Sequence, residues 1–334
     1  MSTLSPSVAR PASAPLPSGT DRGIDVTVLV PAKDEAENLP LFMEQAAAAL
    51  SAAPFSFEVI VIDDGSTDET WRTLQGLEAR YPFLRSEQHL RQRGIADALF
   101  TGYLRSRGRV LVFYPADLQY RPEDIPRLVA PVLSGESDMV TGRKEGTYEK
   151  AFVSRVYNSL SRRLFDVAVR DLNSVKAYRR EVMDVLPVRP DWHRYMIVIA
   201  AAHGYTVSEV PVPLYPRHAG RSKFGIARIP TGVLDMLSVW FELRFGRKPM
   251  LFFGIMGAAL FLSGVIVGLW AIALRVFWHT GFRPLLNLVE ICVITGSIFF
   301  VGGFLGELIA GQRAELRELR RALGERTAPP SREG

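Results

Sequence analysis

The chain has 334 residues, of which 48% are hydrophobic and 22% charged, which is enough for one sizeable α/β domain and a smaller element. Its net charge of +5 is modest for nucleic-acid binding, and no helix-turn-helix, zinc-finger or aromatic RNA-binding pattern is present, so we expect no nucleic-acid partner. The single cysteine, Cys292, excludes a disulfide framework and a cysteine-based zinc site.

Residues 1–22 are rich in Ser, Ala and Pro and lack the apolar region of a signal peptide. This composition predicts a disordered leader, because it offers too little apolar surface to form a core. We therefore expect the catalytic part of the chain to remain in the cytosol.

The first half of the chain alternates between strand and helix patterns. Predicted strands cover Ile24–Val30, Phe57–Ile62, Val110–Gln119 and Asp138–Thr141, and predicted helices cover Glu37–Ala53, 67–80, Gly94–Arg105 and Pro122–Leu133. This alternation predicts a doubly wound, Rossmann-like α/β domain with a mostly parallel sheet and helices on both faces.

The pattern is less regular in the next part of the chain. A helix is predicted over Lys150–Phe165, an extended segment over Asp171–Tyr178 and a helix over His193–His203. Tyr205–Val212 has the pattern of a strand interrupted by Pro211, which favours the edge of the sheet because proline cannot donate a ladder hydrogen bond.

Two long apolar runs dominate the C-terminal third. Met250–Leu274 and Leu285–Ala310 are each long enough to cross a bilayer, so residues 249–311 are predicted to form a two-span transmembrane hairpin. Two buried core helices are the alternative, which the length of these runs disfavours. The preceding residues, 225–248, form an amphipathic, aromatic segment that suits a membrane interface, with a core-covering helix as its alternative.

Basic residues flank both apolar runs. They are Arg244, Arg247 and Lys248 before the first run, and Arg313, Arg317, Arg320 and Arg321 after the second. Because cytoplasmic flanks carry an excess of Lys and Arg, both flanks are predicted to be cytoplasmic and the tip near His279 external. The expectation is a multi-pass cell-membrane protein whose catalytic domain and basic tail, 312–334, face the cytoplasm.

Polar motifs follow the predicted strands. They are P-A-K-D-E-A-E-N at 31–38, I-D-D-G-S at 62–66, A-D-L-Q at 116–119 and the basic R-H-A-G-R-S-K-F-G at 217–225. Alone, D-D-G-S is more often a plain turn and helix cap. Together and in this order, the motifs resemble family 2 glycosyltransferases of GT-A fold, and within them the dolichyl- or polyprenyl-phosphate sugar synthases, such as dolichol-phosphate mannosyltransferases. The resemblance covers roughly Val26–Gly225, and it implies a GT-A glycosyltransferase domain over 23–224.

The resemblance implies roles for individual residues. The implied nucleotide and diphosphate contacts are Pro31, Lys33, Glu35, Ile62, Asp64, Ala116, Asp117 and Gln119. The implied catalytic set is Asp117, Arg143, Lys150, Ser154, Arg217 and Lys223, of which Lys150 and Ser154 fall at the acceptor phosphate and Arg217 and Lys223 close over the donor diphosphate.

The resemblance also implies a divalent metal. Pro115 stands where the family has a first aspartate, so Mg²⁺ or Mn²⁺ would rely on Asp117 and Gln119, with phosphates and water as the remaining ligands. We therefore expect a metal-dependent enzyme that binds its metal weakly without the donor.

The expected reaction is an inverting transfer of a hexose, mannose or glucose, from GDP-mannose or UDP-glucose to polyprenyl or dolichyl phosphate. The expected partners are these two substrates and the lipid bilayer, and a homo-oligomer is left open. A non-catalytic relative that binds nucleotide sugar or lipid as a scaffold or regulator is the alternative. Its only support is the departure from the family pattern at Pro115 and Lys33.

Overall fold

The computed structural model describes residues 23–145, 169–187, 191–219, 229–246, 248–279 and 283–327, with a few single positions between 161 and 189. The predicted leader, almost all of the predicted helix Lys150–Phe165 and the segment 220–228 lie outside these ranges. The chain divides into two compact units, which meet in sequence between Met236 and Leu237.

A seven-stranded sheet forms the centre of the first unit, as far as the described residues show. Its strands are β1 (Val26–Ala32), β2 (Phe57–Asp63), β3 (Leu84–Gln88), β4 (Val110–Phe113), β5 (Met139–Glu145), β6 (Lys176–Arg179) and β7 (Val207–Pro213). They lie in the order β3-β2-β1-β4-β6-β5-β7. Only β6 runs antiparallel to its neighbours, so the sheet is mostly parallel, and β7 lies at the edge, as its prolines predict.

The helices of the first unit are α1 (Leu39–Ser51), α2 (Thr70–Arg80), α3 (Ile95–Arg105), α4 (Ile125–Leu133), α5 (Val182–Val185) and α6 (Met196–Ala202). Alternate residues of β1 face opposite sides of the sheet. Val28 and Val30 share a core with α1 and α4, whereas Leu29 packs near Gly102 of α3 on the other side. Because both faces are covered, the inner strands are continuously apolar.

The second unit contains two long apolar helices. Helix α7 (Ile229–Phe245) spans the boundary between the units, and α8 (Pro249–Phe277) and α9 (Arg283–Thr327) follow. The stretches Pro249–Phe277 and Arg283–Leu316 are long and apolar enough to cross a bilayer. Large apolar side chains on them, such as Ile266 and Ile298, are two-thirds exposed, which indicates a membrane protein rather than a soluble core.

Glycines let α8 and α9 approach closely. A Cβ atom added at Gly257 would lie 2.7 Å from the carbonyl oxygen of Gly296, and one added at Gly296 would lie 2.6 Å from the backbone nitrogen of Phe261. No side chain fits at either position without separating the helices. Helix α9 also continues to Thr327, so the predicted tail begins as an extension of this helix.

Candidate active site

The ends of β1, β2 and β4 meet at one edge of the sheet. These strands are parallel, and β1 lies between β2 and β4. The chain leaves β1 towards β2 on one side and returns to β4 on the other, so β1 and β4 flank a topological switch point. Crevices at such points are where open α/β sheets bind ligands. Three of the four polar motifs therefore converge where a ligand site is expected.

The loops after β1 and β2 are fastened to each other. The Lys33 ammonium donates to the Gly65 carbonyl at 2.8 Å, and the Asp34 backbone N–H donates to Ser66 Oγ at 2.9 Å. In return, Asp34 Oδ1 accepts the Thr67 backbone N–H at 2.8 Å. The two predicted nucleotide-contact stretches thus form one double loop, in which Lys33 has a structural partner.

Asp64 is held by donors of the chain itself. Its Oδ1 lies 2.8 Å from His89 Nδ1 and accepts the Arg93 N–H at 2.8 Å, while Oδ2 accepts the Gly94 N–H at 2.8 Å. A carboxylate offers about four acceptor positions, so about one is left for a base or ribose. The carboxylate fixes the segment that leads into α3, and its predicted contact with a nucleotide stays a prediction.

Four further predicted contact residues lie along this edge. The side chain of Ile62 is fully buried and points towards Gly102 of α3, and Ala116 is 1% exposed. Pro31 lies beside Ile62 in the pairing of β1 with β2. Glu35 is close to the start of α1, where its carboxylate accepts a hydrogen bond from the Asn38 amide.

Asp117, Gln119 and Arg217 form a compact cluster beyond β4. Leu118 adopts a left-handed conformation with φ 57°, and the Gln119 N–H donates to Asp117 Oδ1 at 3.2 Å, so both side chains project from one tight turn. Arg217 Nη2 lies 2.9 Å from Asp117 Oδ2 and 3.2 Å from Gln119 Oε1. Burial raises the pKa of Asp117, and Arg217 and the Gln119 N–H oppose this rise.

The remaining predicted residues are not brought to this cluster. Arg143 forms an ion pair with Glu145 at 3.1 Å on the half-exposed end of β5. Lys150, Ser154 and Lys223 lie outside the described residues. The structure therefore joins one of the predicted basic residues, Arg217, to Asp117 and Gln119. The roles of Arg143, Lys150, Ser154 and Lys223 stay predictions.

Several residues of this edge have no clear signal in the sequence. His89 is a lone histidine after a weak strand, yet its ring joins Asp64 to Thr101 Oγ1, which lies 2.9 Å from Nε2. Tyr215 donates its backbone N–H to the Gln119 carbonyl at 2.9 Å and so ties the segment after β7 to the Asp117 turn. Only the tertiary pairing of distant segments creates these contacts.

Lys176 is another residue that the sequence does not single out. It lies opposite Phe113 in the pairing of β4 with β6 and is fully buried, with its ammonium 2.6 Å from the Ser174 carbonyl. Burial lowers the pKa of Lys176 to about 7, against the effect of nearby Asp171 and with a smaller contribution from Lys144.

The two predicted metal ligands, Asp117 and Gln119, offer a cation one carboxylate oxygen and one amide oxygen. Asp117 Oδ2 and Gln119 Oε1 converge on one nitrogen of a guanidinium, which shows that a positive charge is accommodated between them. Among the described residues, no three His, Cys, Asp or Glu side chains form a metal-binding group. The pair thus suits a hard cation that takes its other ligands from phosphate and water.

Comparison with known proteins identifies glycosyltransferases as relatives of this chain. Residues 27–183 match the family described as glycosyl transferase family 2. The chain is 29% identical over 308 residues to the dodecaprenyl-phosphate galacturonate synthase of Rhizobium johnstonii, which covers 86% of this chain and 88% of that protein. It is 27% identical over 316 residues to the undecaprenyl-phosphate 4-deoxy-4-formamido-L-arabinose transferase of Pseudomonas savastanoi pv. phaseolicola, with 92% of each chain covered.

Solved structures share the fold. Glucosyl-3-phosphoglycerate synthase from Mycobacterium tuberculosis, in complex with Mn²⁺, uridine diphosphate and phosphoglyceric acid, matches with a TM-score of 0.54 and 19% identity over 69% of this chain and 86% of that chain. The same enzyme with Mg²⁺ and uridine diphosphate also matches with a TM-score of 0.54. At this identity the likeness concerns the fold alone, and it confirms the predicted GT-A architecture.

The relatives are named synthases and transferases, so the non-catalytic alternative suggested by Pro115 and Lys33 finds no support among them. Residues 27–183 thus match glycosyl transferase family 2 in a domain of GT-A fold, and the chain, like the relatives named above, is a glycosyltransferase.

Proposed function

We propose that this glycosyltransferase moves a sugar from a nucleoside diphosphate donor to polyprenyl phosphate. The convergence of Asp117, Gln119 and Arg217 carries the proposal, because a carboxylate, an amide and a guanidinium meet at the edge of the sheet where open α/β folds bind ligands. The two relatives described above, whose names specify polyprenyl-phosphate acceptors, support the same acceptor for this chain.

The charges of the reaction match this cluster. As the bond from the sugar to the diphosphate breaks, negative charge develops on the leaving nucleoside diphosphate, so cations must face it. Arg217 supplies one such charge. Asp117 and Gln119 would hold a divalent cation, Mg²⁺ or Mn²⁺, whose chemistry is to neutralise the diphosphate.

The acceptor explains why one carboxylate is sufficient. A phosphate monoester has a second pKa near 6 and is largely a dianion at neutral pH. Its oxygen can attack the anomeric carbon directly while the bond to the diphosphate breaks, which inverts the anomeric centre. A hydroxyl acceptor would need an additional carboxylate base. We assign positioning of the acceptor phosphate to Lys150 and Ser154, and closure over the donor to Lys223, as predictions.

The sugar is the least constrained part of the proposal. The sequence leads us to expect mannose or glucose, whereas the names of the two relatives specify galacturonate and a formamido derivative of L-arabinose. We therefore favour a uronic acid or a modified pentose over a neutral hexose. A screen of purified chain with uridine diphosphate sugars of these two classes, with GDP-mannose and UDP-glucose in parallel, would identify the donor.

Lipid labelling tests the function itself. The chain, in membranes with polyprenyl phosphate and the labelled donor found in the screen, should form a labelled lipid. Asp117→Asn removes the charge that faces Arg217 and should lower the rate roughly a hundredfold or more. Asp124→Asn, whose carboxylate pairs instead with Arg127 at 3.0 Å, serves as the control and should retain most activity. Full activity of Asp117→Asn would disprove the assigned site.

Metal removal is a separate test. Chelation by EDTA should stop lipid labelling, and added Mg²⁺ or Mn²⁺ should restore it, because Asp117 and Gln119 would then regain their shared cation. Undiminished labelling in EDTA would show that Arg217 and other basic groups neutralise the diphosphate without a metal.

A further inference from the structure

Arg217 occupies the position between the two oxygens assigned to the metal. A single guanidinium nitrogen lies 2.9 Å from Asp117 Oδ2 and 3.2 Å from Gln119 Oε1. The backbone hydrogen bond from Tyr215 to Gln119 holds the preceding residues of this segment against the turn. The arginine is therefore directed to these oxygens by the fold and is not an incidental surface contact.

The same carboxylate cannot serve two cations well. Asp117 is 8% exposed, and a buried carboxylate requires a compensating positive charge. Arg217 provides that charge in the ligand-free chain. A divalent cation bound to the same oxygens would place two like charges within a few ångströms of each other, where burial weakens screening. Binding of one cation therefore disfavours binding of the other.

A diphosphate changes this balance. Its oxygens attract a guanidinium, which binds phosphate through paired N–H donors. They also supply the ligands that a cation held by only one carboxylate lacks. The Arg217 side chain is 26% exposed, so it has room to turn from Asp117 towards an incoming anion.

We infer that Arg217 and the divalent cation compete for Asp117 and Gln119, and that the donor diphosphate ends the competition by drawing Arg217 away. The inference rests on the proposed function, because it requires a diphosphate at this edge. The ligand-free chain then binds the metal weakly for two reasons, the single carboxylate and the resident guanidinium. Metal and nucleotide consequently bind with positive cooperativity.

Metal binding can be measured without turnover. Electron paramagnetic resonance of free Mn²⁺, with the purified full chain in detergent, reports how much metal is bound. Wild type should bind Mn²⁺ weakly alone and roughly tenfold to a hundredfold more tightly with saturating uridine diphosphate, the usual range of such coupling. Guanosine diphosphate is run in parallel, and cooperativity with either nucleotide supports the inference.

The variants distinguish competition from a general charge effect. Arg217→Gln should bind Mn²⁺ roughly tenfold more tightly than wild type without nucleotide, and its nucleotide-induced gain should shrink by about the same factor, because only the phosphate ligands then contribute to it. Arg121→Gln is the matched control, because it removes one positive charge from a neighbouring position. The Arg121 guanidinium lies 4.0 Å from the centre of the ring of Tyr215, two residues before Arg217. The Mn²⁺ affinity of this control variant should stay close to that of wild type. Asp117→Asn should bind little Mn²⁺ under either condition.

Two results would overturn the inference. One is Arg217→Gln with no gain in nucleotide-free Mn²⁺ affinity, and the other is an equal gain in Arg121→Gln. Thermal melting verifies that each variant is folded, and Arg217→Lys, expected to bind Mn²⁺ with intermediate affinity, replaces Arg217→Gln if that variant fails to fold. Because no sugar or lipid is present, loss of lipid labelling with intact cooperativity would reject the proposed acceptor and leave this inference standing.

Discussion

Asp64 and Asp117 are both aspartates that follow buried strands, but they have different surroundings. Three donors of the chain hold Asp64, and they belong to the segment between β3 and α3. Asp117 receives one backbone N–H and otherwise faces the side chain of Arg217. A side chain can move away and a backbone N–H inside a fixed loop cannot, so only Asp117 can exchange its partner for a ligand.

His193 is a second residue with a testable electrostatic role. It is buried against Phe113, and no hydrogen-bond partner of its Nδ1 lies among the described residues. Burial, with Arg194 and Lys176 nearby, lowers the pKa of His193 from 6.5 to about 3. Because the folded pKa is below the unfolded one, its neutral form contributes stability above pH 6.5, and this contribution is lost as the pH falls towards 3.

The corresponding prediction concerns stability between pH 7 and pH 5. Protonation of His193 in the unfolded chain should cost wild type about 2 kcal/mol of stability over this interval. His193→Phe, which keeps an aromatic ring against Phe113, should remove this loss, as measured by chemical denaturation at both pH values. An unchanged pH dependence would show that His193 is hydrated or paired in solution.

At the scale of elements, the site depends on loops that touch each other. Gly65 follows β2 with φ 67°, and a Cβ atom there would lie 2.6 Å from the backbone of Arg91 and Gln92. The segment that Asp64 holds therefore lies directly on Gly65. The loops after β2 and β3 pack backbone to backbone, and this packing explains both the glycine at position 65 and the hydrogen bonds that Asp64 accepts.

A pair of glycine substitutions tests this packing. Gly65→Ala should lower the melting temperature by an amount corresponding to about 2–4 kcal/mol, because it adds a clash to a left-handed conformation. Gly76→Ala is the control: Gly76 lies in α2 with no atom within 4 Å of an added Cβ. Alanine there should raise stability by about 0.5–1 kcal/mol. Equal effects of the two substitutions would contradict the close contact at Gly65.

The sequence was informative where apolar patterns are strong and local. It predicted β1, β2, β4 and the edge position of β7, because continuous apolar runs and prolines act through the residues themselves. The end predicted for β4 was wrong: the strand stops at Phe113 and not at Gln119, because the chain turns before Asp117. Strand β3 was not identified, since L-R-S-E-Q has neither a long apolar run nor strict alternation. The contact between Arg217 and Asp117 joins residues 100 positions apart and depends on how β7 enters the sheet. No local pattern predicts such a pairing.

At the scale of the whole molecule, two units of different character share one chain. The first unit carries the sheet and the candidate site, and the second carries α8 and α9 with their apolar surfaces. In the second unit, Arg313 forms an ion pair with Glu242 at 3.0 Å, so charged residues of α7 and α9 meet near the C-terminal end of the apolar stretch of α9. We propose that both helices span the membrane, with the first unit on the cytoplasmic side.

Cysteine labelling tests this orientation. In a Cys292→Ser background, a cysteine introduced by His279→Cys should react with an impermeant maleimide added to intact cells, because the basic flanks keep the opposite ends inside. A cysteine introduced by Gln312→Cys should react only after permeabilisation. The reverse pattern would place the catalytic unit outside, and labelling of both sites in intact cells would argue against two spans.

The turn around Leu118 has a consequence for how the protein accommodates different ligands. Leu118 holds a left-handed backbone at a cost of about 1–3 kcal/mol for a non-glycine residue, and its side chain is 6% exposed within the core. This conformational strain is part of the folding free energy and does not recur on binding. The backbone at Asp117 and Gln119 is already ordered, so a ligand that binds there loses little affinity to backbone ordering. A preformed turn of this kind is also poorly adaptable. Adjustment to sugars of different shape therefore falls to the side chains and loops around it.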